Sequence, residues 1–297
     1  MTDASARSGP EPANAPGPAL RGPGPDEPRL DGAGLGGTPL DEDGLAGAGL
    51  RLDVAGAVAT VTLNRPERRN AMTFAMWRGL AAIGRSLPPA VRVVVLKGAG
   101  PSFSAGIDLA QFSGDASTSG DGFPDGTDAE AADRFIAGLQ DGYTWLRRPE
   151  IVTIAAVHGH AIGGGFQLAL ACDLRVIADD TAFCMKEPAL GLVPDLTGTK
   201  PLVEAVGLPR ALELCLTART VHAEEAVRLG LAETLVPRDA LDGAVADLVA
   251  ALLAMDAGAA VATKRLLRQA PGNTLEQQCA AERQEQIGRL RALFGRG

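Results

Sequence analysis

Residues Val157–Asp173, VHGHAIGGGFQLALACD, constrain the fold more than any other stretch. The apolar run Ile151 to Gly159 reads as a buried strand, and Phe166 to Cys172 reads as a helix. Between them Gly163, Gly164 and Gly165 allow a turn too tight for side chains. A strand that turns directly into a helix belongs to an α/β core. It also aims the first amides of the helix, at the positive end of its dipole, toward whatever lies before the turn. Taken alone, three glycines point to close packing of helix on strand before they point to a ligand site. Two phosphate-binding readings fail, because no Lys-Ser/Thr pair follows the glycines and G-H-A-I-G-G lacks the dinucleotide spacing.

The rest of the chain alternates strands with helices, then turns helical. LRLDVAGAVATVTLN, from Leu50, reads as a hairpin hinged at Ala55-Gly56. A helix is predicted over 73–86 from the spacing of Phe74, Trp77, Leu80 and Ala81, followed by a buried strand over 91–98. Residues 113–128 form a Gly/Ser/Asp-rich insert without periodicity, read as a surface loop near a substrate entrance. A helix over 129–147 precedes the strand at Ile151, and strands LRVIAD and 182–185 follow the glycine turn. Helices are predicted over 200–206, 209–217, 222–229, 241–255, 257–268 and 275–293, interrupted by an extended LAETLVP.

With 297 residues, 46% of them hydrophobic, the chain can bury a large core. The first 48 residues are Gly-, Pro-, Ala- and Asp-rich and bury too little apolar surface to order, so a disordered tail is expected over 1–48. A formal net charge of -8 excludes a general nucleic-acid binder, which needs a basic face. Cys172, Cys184, Cys215 and Cys279 are widely spaced, which suggests neither a zinc site nor a disulfide framework. No apolar run of membrane-spanning length and no secretory signal pattern is visible, so the expectation is a cytoplasmic protein without membrane partners. No GxSxG elbow supports a serine hydrolase.

Three further segments join the glycine turn: Phe103–Leu109 (FSAGIDL), Lys186-Glu187-Pro188 and Asn64–Met72 (NRPERRNAM). Together they resemble the enoyl-CoA hydratase/isomerase, or crotonase, superfamily, over about 50–294. The resemblance implies an α/β fold: a crotonase-like ββα spiral core at 49–200 and a mainly helical C-terminal oligomerisation region at 201–297. It implies an acyl-CoA substrate, with coenzyme A as part of that substrate and no other cofactor or metal, and a homotrimer or dimer of trimers. It places the two amides of an oxyanion hole on Ile107 and Gly164, where fixed N–H donors would stabilise a thioester enolate. Coenzyme A would be held by Arg65, Arg68, Arg69, Ala105, Asp108 and Lys264, the arginines suiting phosphate. Without the resemblance, an arginine run is a solvated loop face and Lys264 an exposed helical residue.

Hydratases of this superfamily resemble one another in carrying two glutamates that activate water; this chain has Gln167 at the first position and Glu187 at the second. An amide has no proton-accepting state near neutral pH. Asp195, eight residues after Glu187, gives a pattern similar to the dienoyl-CoA isomerase branch, where a Glu/Asp pair shuttles protons. Alternatives stay open at each position. Asp195 also reads as the N-cap of the next helix, Glu187 as a surface residue before a proline, and Gln167 as an amide bonding a neighbour or orienting water. Asp108 and Asp173 also read as residues that fix local turns. The expected activity is a double-bond shift in an unsaturated fatty acyl-CoA, with 2-enoyl-CoA hydration second. A non-catalytic acyl-CoA-binding paralogue is the competing reading from another class.

Overall fold

Residues 41–111 and 128–295 are described in the computed structural model. The insert at 113–128 lies outside them except for Asp128, and so does the tail over 1–40. The tail does not extend to residue 48. Asp41 caps a short helix, α1 (Glu42–Gly47), by accepting the Gly44 N–H, and Leu45 and Ala48 are buried in the main core. Two apolar contacts suffice to anchor a segment whose composition reads as disordered.

The hairpin follows as read, β1 (Leu50–Ala55) antiparallel to β2 (Val58–Leu63), with Leu50 opposite Leu63. Thr73 caps α2 (Phe74–Ser86), which buries Phe74, Trp77, Leu80 and Ala81 at the predicted spacing. Next come β3 (Val93–Gly98) and α3 (Ala129–Thr144), whose N-cap is Asp128. Helical winding continues as a 3-10 turn, Trp145–Arg147, and stops before Pro149. Then follow β4 (Val152–Val157), β5 (His160–Ile162), α4 (Gly164–Ala171), β6 (Leu174–Ala178) and β7 (Ala182–Cys184). The helix α4 opens two residues before Phe166, because glycines at its first positions carry no helix-forming signal.

Beyond residue 198 lie α5 (Thr199–Val206), α6 (Leu208–Thr217), β8 (Val221–His222), α7 (Ala223–Arg228), β9 (Thr234–Val236), α8 (Leu241–Leu253), α9 (Ala257–Gln269) and α10 (Leu275–Phe294). The division at residue 200 is therefore no break in the core: β9 completes the large sheet and β8 the small one. The large sheet runs β1-β2-β3-β4-β6-β9, parallel except for β1–β2, and the small sheet runs β5-β7-β8. Strands β3, β4 and β6 are covered on both faces. One side joins the main core, and the other packs Val93, Val95, Ile154 and Val176 against Leu241 and Val245 of α8.

The small sheet positions the site. β5 and β7 are parallel with Ile162 opposite Cys184, and a further parallel bridge pairs Ser104 with Ala161. Three successive ββα turns of the spiral thus lay Ser104, β5 and β7 side by side, all running the same way. Their next residues, Ala105-Gly106-Ile107, Gly163-Gly164 and Lys186-Glu187, emerge at one sheet edge.

Candidate functional site

Backbone meets backbone where the first two of these segments touch. A β-carbon on Gly165 would lie 2.6 Å from the Ser104 Cβ, and one on Gly106 would lie 2.7 Å from the Ile162 carbonyl oxygen. Neither position admits a side chain. Gly106 O accepts the Met72 N–H at 2.7 Å, and the Asp108 N–H donates to Met72 O at 2.8 Å. Successive peptide groups alternate in direction, so the Ile107 N–H between them turns away from that pairing. The Gly163 N–H is consumed by Cys184 O at 2.8 Å, whereas the Gly164 N–H is the first of α4 and has no carbonyl within the helix to bond. Among the described residues neither the Ile107 nor the Gly164 N–H has a protein acceptor. The two amides expected to hold an oxyanion are thus free on adjoining loops.

The third segment brings the acid. Glu187 is 8% exposed, and its Oε1 would sit 3.1 Å from a β-carbon on Gly163, beside the glycine turn. Gln167, fully buried on α4, donates from Nε2 to Glu187 Oε1 at 2.6 Å. Gln167 Oε1 accepts two backbone donors, Leu196 N–H at 2.9 Å and Gly198 N–H at 3.1 Å. Glu187 Oε2 is buried with no partner among the described residues. Burial pushes the Glu187 carboxyl above its ordinary range, and the nearby Asp195 charge adds to the push against the Gln167 and backbone bonds. Burial also raises Asp195.

Asp195 is not a helix cap. Helix α5 starts at Thr199 behind Gly198 without a side-chain cap, and Thr197 between them has φ 68°. The Asp195 backbone carbonyl is held by Gln140 Nε2 at 2.7 Å, which fixes its loop to α3. Asp195 is half-buried, and Gln167 ties Glu187 to the backbone of the Asp195 loop at Leu196 and Gly198.

Sequence reasoning missed Tyr143, the single tyrosine of the chain. Its buried hydroxyl donates to Gly164 O at 3.1 Å and accepts the Trp77 Nε1 proton at 2.8 Å. It lines the space over Gly164 with Leu196 and Met72. The uniqueness of Tyr143 on a helix that otherwise reads as amphipathic was the one available signal. Among the described residues no group of three or more His, Cys, Asp or Glu is placed to hold a metal.

Residues 53–288 match the enoyl-CoA hydratase/isomerase family. The chain belongs to this family. It is 32% identical over 233 residues to the peroxisomal Δ(3,5)-Δ(2,4)-dienoyl-CoA isomerase of Arabidopsis thaliana, covering 77% of this chain and 83% of that one. It is 31% identical over 228 residues to a Mycobacterium bovis protein provisionally named an enoyl-CoA hydratase, covering 76% and 83%. A Thermobifida fusca YX structure, provisionally described as an enoyl-CoA hydratase in complex with acetoacetyl-CoA, superposes with a TM-score of 0.83 at 57% identity, covering 86% of this chain and 100% of that one. The enoyl-CoA hydratase/isomerase fold and membership in an acyl-CoA enzyme family follow, and both hydratase and isomerase names occur among the relatives.

Several residues assigned to coenzyme A by the family resemblance have other work. Arg65 donates from Nη1 to Ala71 O at 2.5 Å and from Nη2 to Asp108 at 3.1 Å, so it staples its own loop. Asp108 accepts from Arg65, from Arg68 at 3.3 Å and from the Ala110 N–H. Burial alone would raise its carboxyl, but these partners hold it below the usual range. Asp108 thus acts as the loop-fixing residue and has no free donor for a phosphate. Arg68 and Arg69 are exposed, and the Arg69 carbonyl accepts the Ala105 N–H at 2.8 Å. Lys264 is neither exposed nor free. All three of its N–H bonds are taken, by Arg148 O, Ile151 O and Asp173 Oδ2, at 2.7, 2.6 and 2.7 Å. Asp173 also accepts from Thr153 N and Oγ1, which closes the turn between α4 and β6 as expected.

Proposed function

We propose that this protein shifts double bonds of an unsaturated acyl-CoA through a thioester enolate. The observation that carries the proposal is the pair of carboxyls, Glu187 and Asp195, both raised by burial and joined through Gln167, which bonds Glu187 at one end and the backbone of the Asp195 loop at the other, beside two free amides. Glu187 lies against Gly163, next to the Gly164 amide, and so is assigned to the carbon α to the thioester. Its carboxylate takes the α proton while the C–H electron pair moves onto the thioester oxygen, which the Ile107 and Gly164 N–H groups stabilise. Asp195, in its acid form, gives a proton to a carbon further along the chain as the pair returns. Proton exchange with solvent resets the two acids. Mass is conserved and conjugation moves. Coenzyme A enters as part of the substrate, with Arg68 and Arg69 exposed on a loop whose Arg69 carbonyl accepts the Ala105 N–H.

A second reading, hydration of a 2-enoyl-CoA, is favoured by the name of the 57% identical Thermobifida fusca relative. It would use Glu187 as the only strong acid/base, with Gln167 unable to accept a proton. Conversion of 3,5-dienoyl-, 3-enoyl- and 2-enoyl-CoA, followed by absorbance and product mass, separates the two. A shifted chromophore at constant mass that both E187Q and D195N abolish supports isomerisation. A gain of one water that D195N leaves unchanged overturns it. Assembly as a trimer or dimer of trimers is part of the same proposal. Helix α10 buries no residue and leaves Leu290, Leu293 and Phe294 exposed, an apolar end suited to a neighbouring copy. A monomer in analytical ultracentrifugation would count against that part.

A further inference from the structure

Glu187 is held asymmetrically. One oxygen, Oε1, accepts a 2.6 Å bond from Gln167 Nε2, while Oε2 is buried and without a partner among the described residues. The same Gln167 side chain reaches the other acid's loop, accepting Leu196 and Gly198 N–H on its carbonyl oxygen. It is gripped there, since a β-carbon on Gly198 would lie 2.5 Å from Gln167 Cγ. An amide donates at one end and accepts at the other and has no titration near neutral pH. A glutamate at this position could accept the two loop N–H bonds but would face Glu187 with a second negative charge, and a methionine could do neither.

We propose that Gln167 is the positioning residue that makes Glu187 a one-oxygen base: its amide engages Oε1, leaves Oε2 for the substrate proton, and fixes the Asp195 loop relative to that oxygen. The identity of the proton's destination rests on the double-bond-shifting reading above; the tether itself does not. The hydrogen bond also favours the ionised form of Glu187, opposing burial and the Asp195 charge. Other titratable groups around the carboxyl are Tyr143 on α3, Cys184 on β7 and Cys215 on α6, all buried or partly buried and themselves raised by burial, with the Glu187 charge adding to each. None of them supplies a positive charge, and the neighbouring Lys186 is exposed; backbone N–H groups, the Glu187 one first, favour the ionised carboxylate, and Gln167 is the side chain that adds to them.

Two variants divide the roles. Q167E keeps the shape and the loop acceptor but replaces the donor with a carboxylate; Q167M keeps the volume and loses both. The readouts are the pH dependence of kcat/KM for the double-bond shift and carbon-13 NMR titration of the Glu187 carboxyl in the free protein, its signal identified by its loss in E187Q. The expected result is an acid limb, and a Glu187 titration, moved upward by at least about one pH unit in both variants, about a tenfold loss of ionised base below the limb. In Q167E the shift appears in the higher of the pair's two titrations, with a Tm lowered at neutral pH and restored toward wild type at low pH, where both carboxyls are protonated. If Q167M fails to fold, Q167E alone decides. A lowered rate with an unmoved limb and an unmoved Glu187 titration would overturn the tether. A moved titration in a protein that shifts no double bond would uphold the tether and overturn the functional reading.

Discussion

The two walls of the site are made of different material. One is backbone: Ile107 and Gly164 amides on loops that touch through Gly106 and Gly165, with no rotamer to adjust. The other is side chain: Glu187, Gln167 and Asp195, whose arrangement depends on who donates and who is ionised. In the proposed function the first wall would serve any reaction that puts charge on a thioester oxygen, and the second would choose among those reactions.

The contrast breaks if a change in the acidic wall behaves like a change in the backbone wall. E187Q should lower the rate of isomerisation by about 10³-fold while leaving the fold intact, as loss of a general base does. It should also melt higher than wild type at neutral pH. Because the folded-state value of Glu187 is raised, its stabilising contribution is complete below the ordinary value of 4.5 and is lost as pH rises through the raised value. Thermal melts at a series of pH values check this, and the difference between the proteins should vanish at low pH. A lower Tm for E187Q at neutral pH would refute the burial penalty.

G165A should act in the opposite sense. A β-carbon 2.6 Å from Ser104 Cβ forces the loops apart, costing about 3 kcal/mol of stability together with activity. Urea unfolding measures it, and a neutral result would mean the loops are not in contact. K264M should cost about 3 kcal/mol by leaving Asp173 and two carbonyls without their buried cation, yet leave KM for the acyl-CoA unchanged. A raised KM with normal stability would return Lys264 to the coenzyme. The smallest effect is expected of Y143F, about 2 kcal/mol, since Trp77 Nε1 is left buried without an acceptor and Gly164 O loses a donor. Its rate should fall far less than that of E187Q.

The walls also differ in how far the sequence disclosed them. Glycines at 163–165 and 106 mark close backbone approach by their very composition, and the helix at 74–86 by its spacing, so the loops and the elements around them were legible. The acidic wall was legible in its members but not in its wiring. Gln167 is bound to amides about thirty residues away, at Leu196 and Gly198, and periodicity does not report which loop returns to which side chain. The partners of Arg65 and Lys264 were hidden for the same reason. A cation in a loop or on a late helix looks solvent-bound until the carbonyls and carboxylates that enclose it are placed by the fold. The capped turn at Asp41 was lost in a low-complexity tail because a single buried leucine leaves no pattern.

The Trp77–Tyr143–Gly164 connection also gives the molecule an optical handle. The chain has two tryptophans and one tyrosine, and the indole of Trp77 shares a proton with the phenol that touches the oxyanion turn. The other indole, Trp145, bonds only the Gly142 carbonyl at 3.0 Å and packs against Gly84. With Trp145 replaced by phenylalanine, the remaining emitter is coupled through Tyr143 to the Gly164 peptide, the proposed thioester site. Its quantum yield and lifetime become a label-free readout of ligand arrival at Gly164, so binding can be timed separately from turnover even for a compound that never reacts.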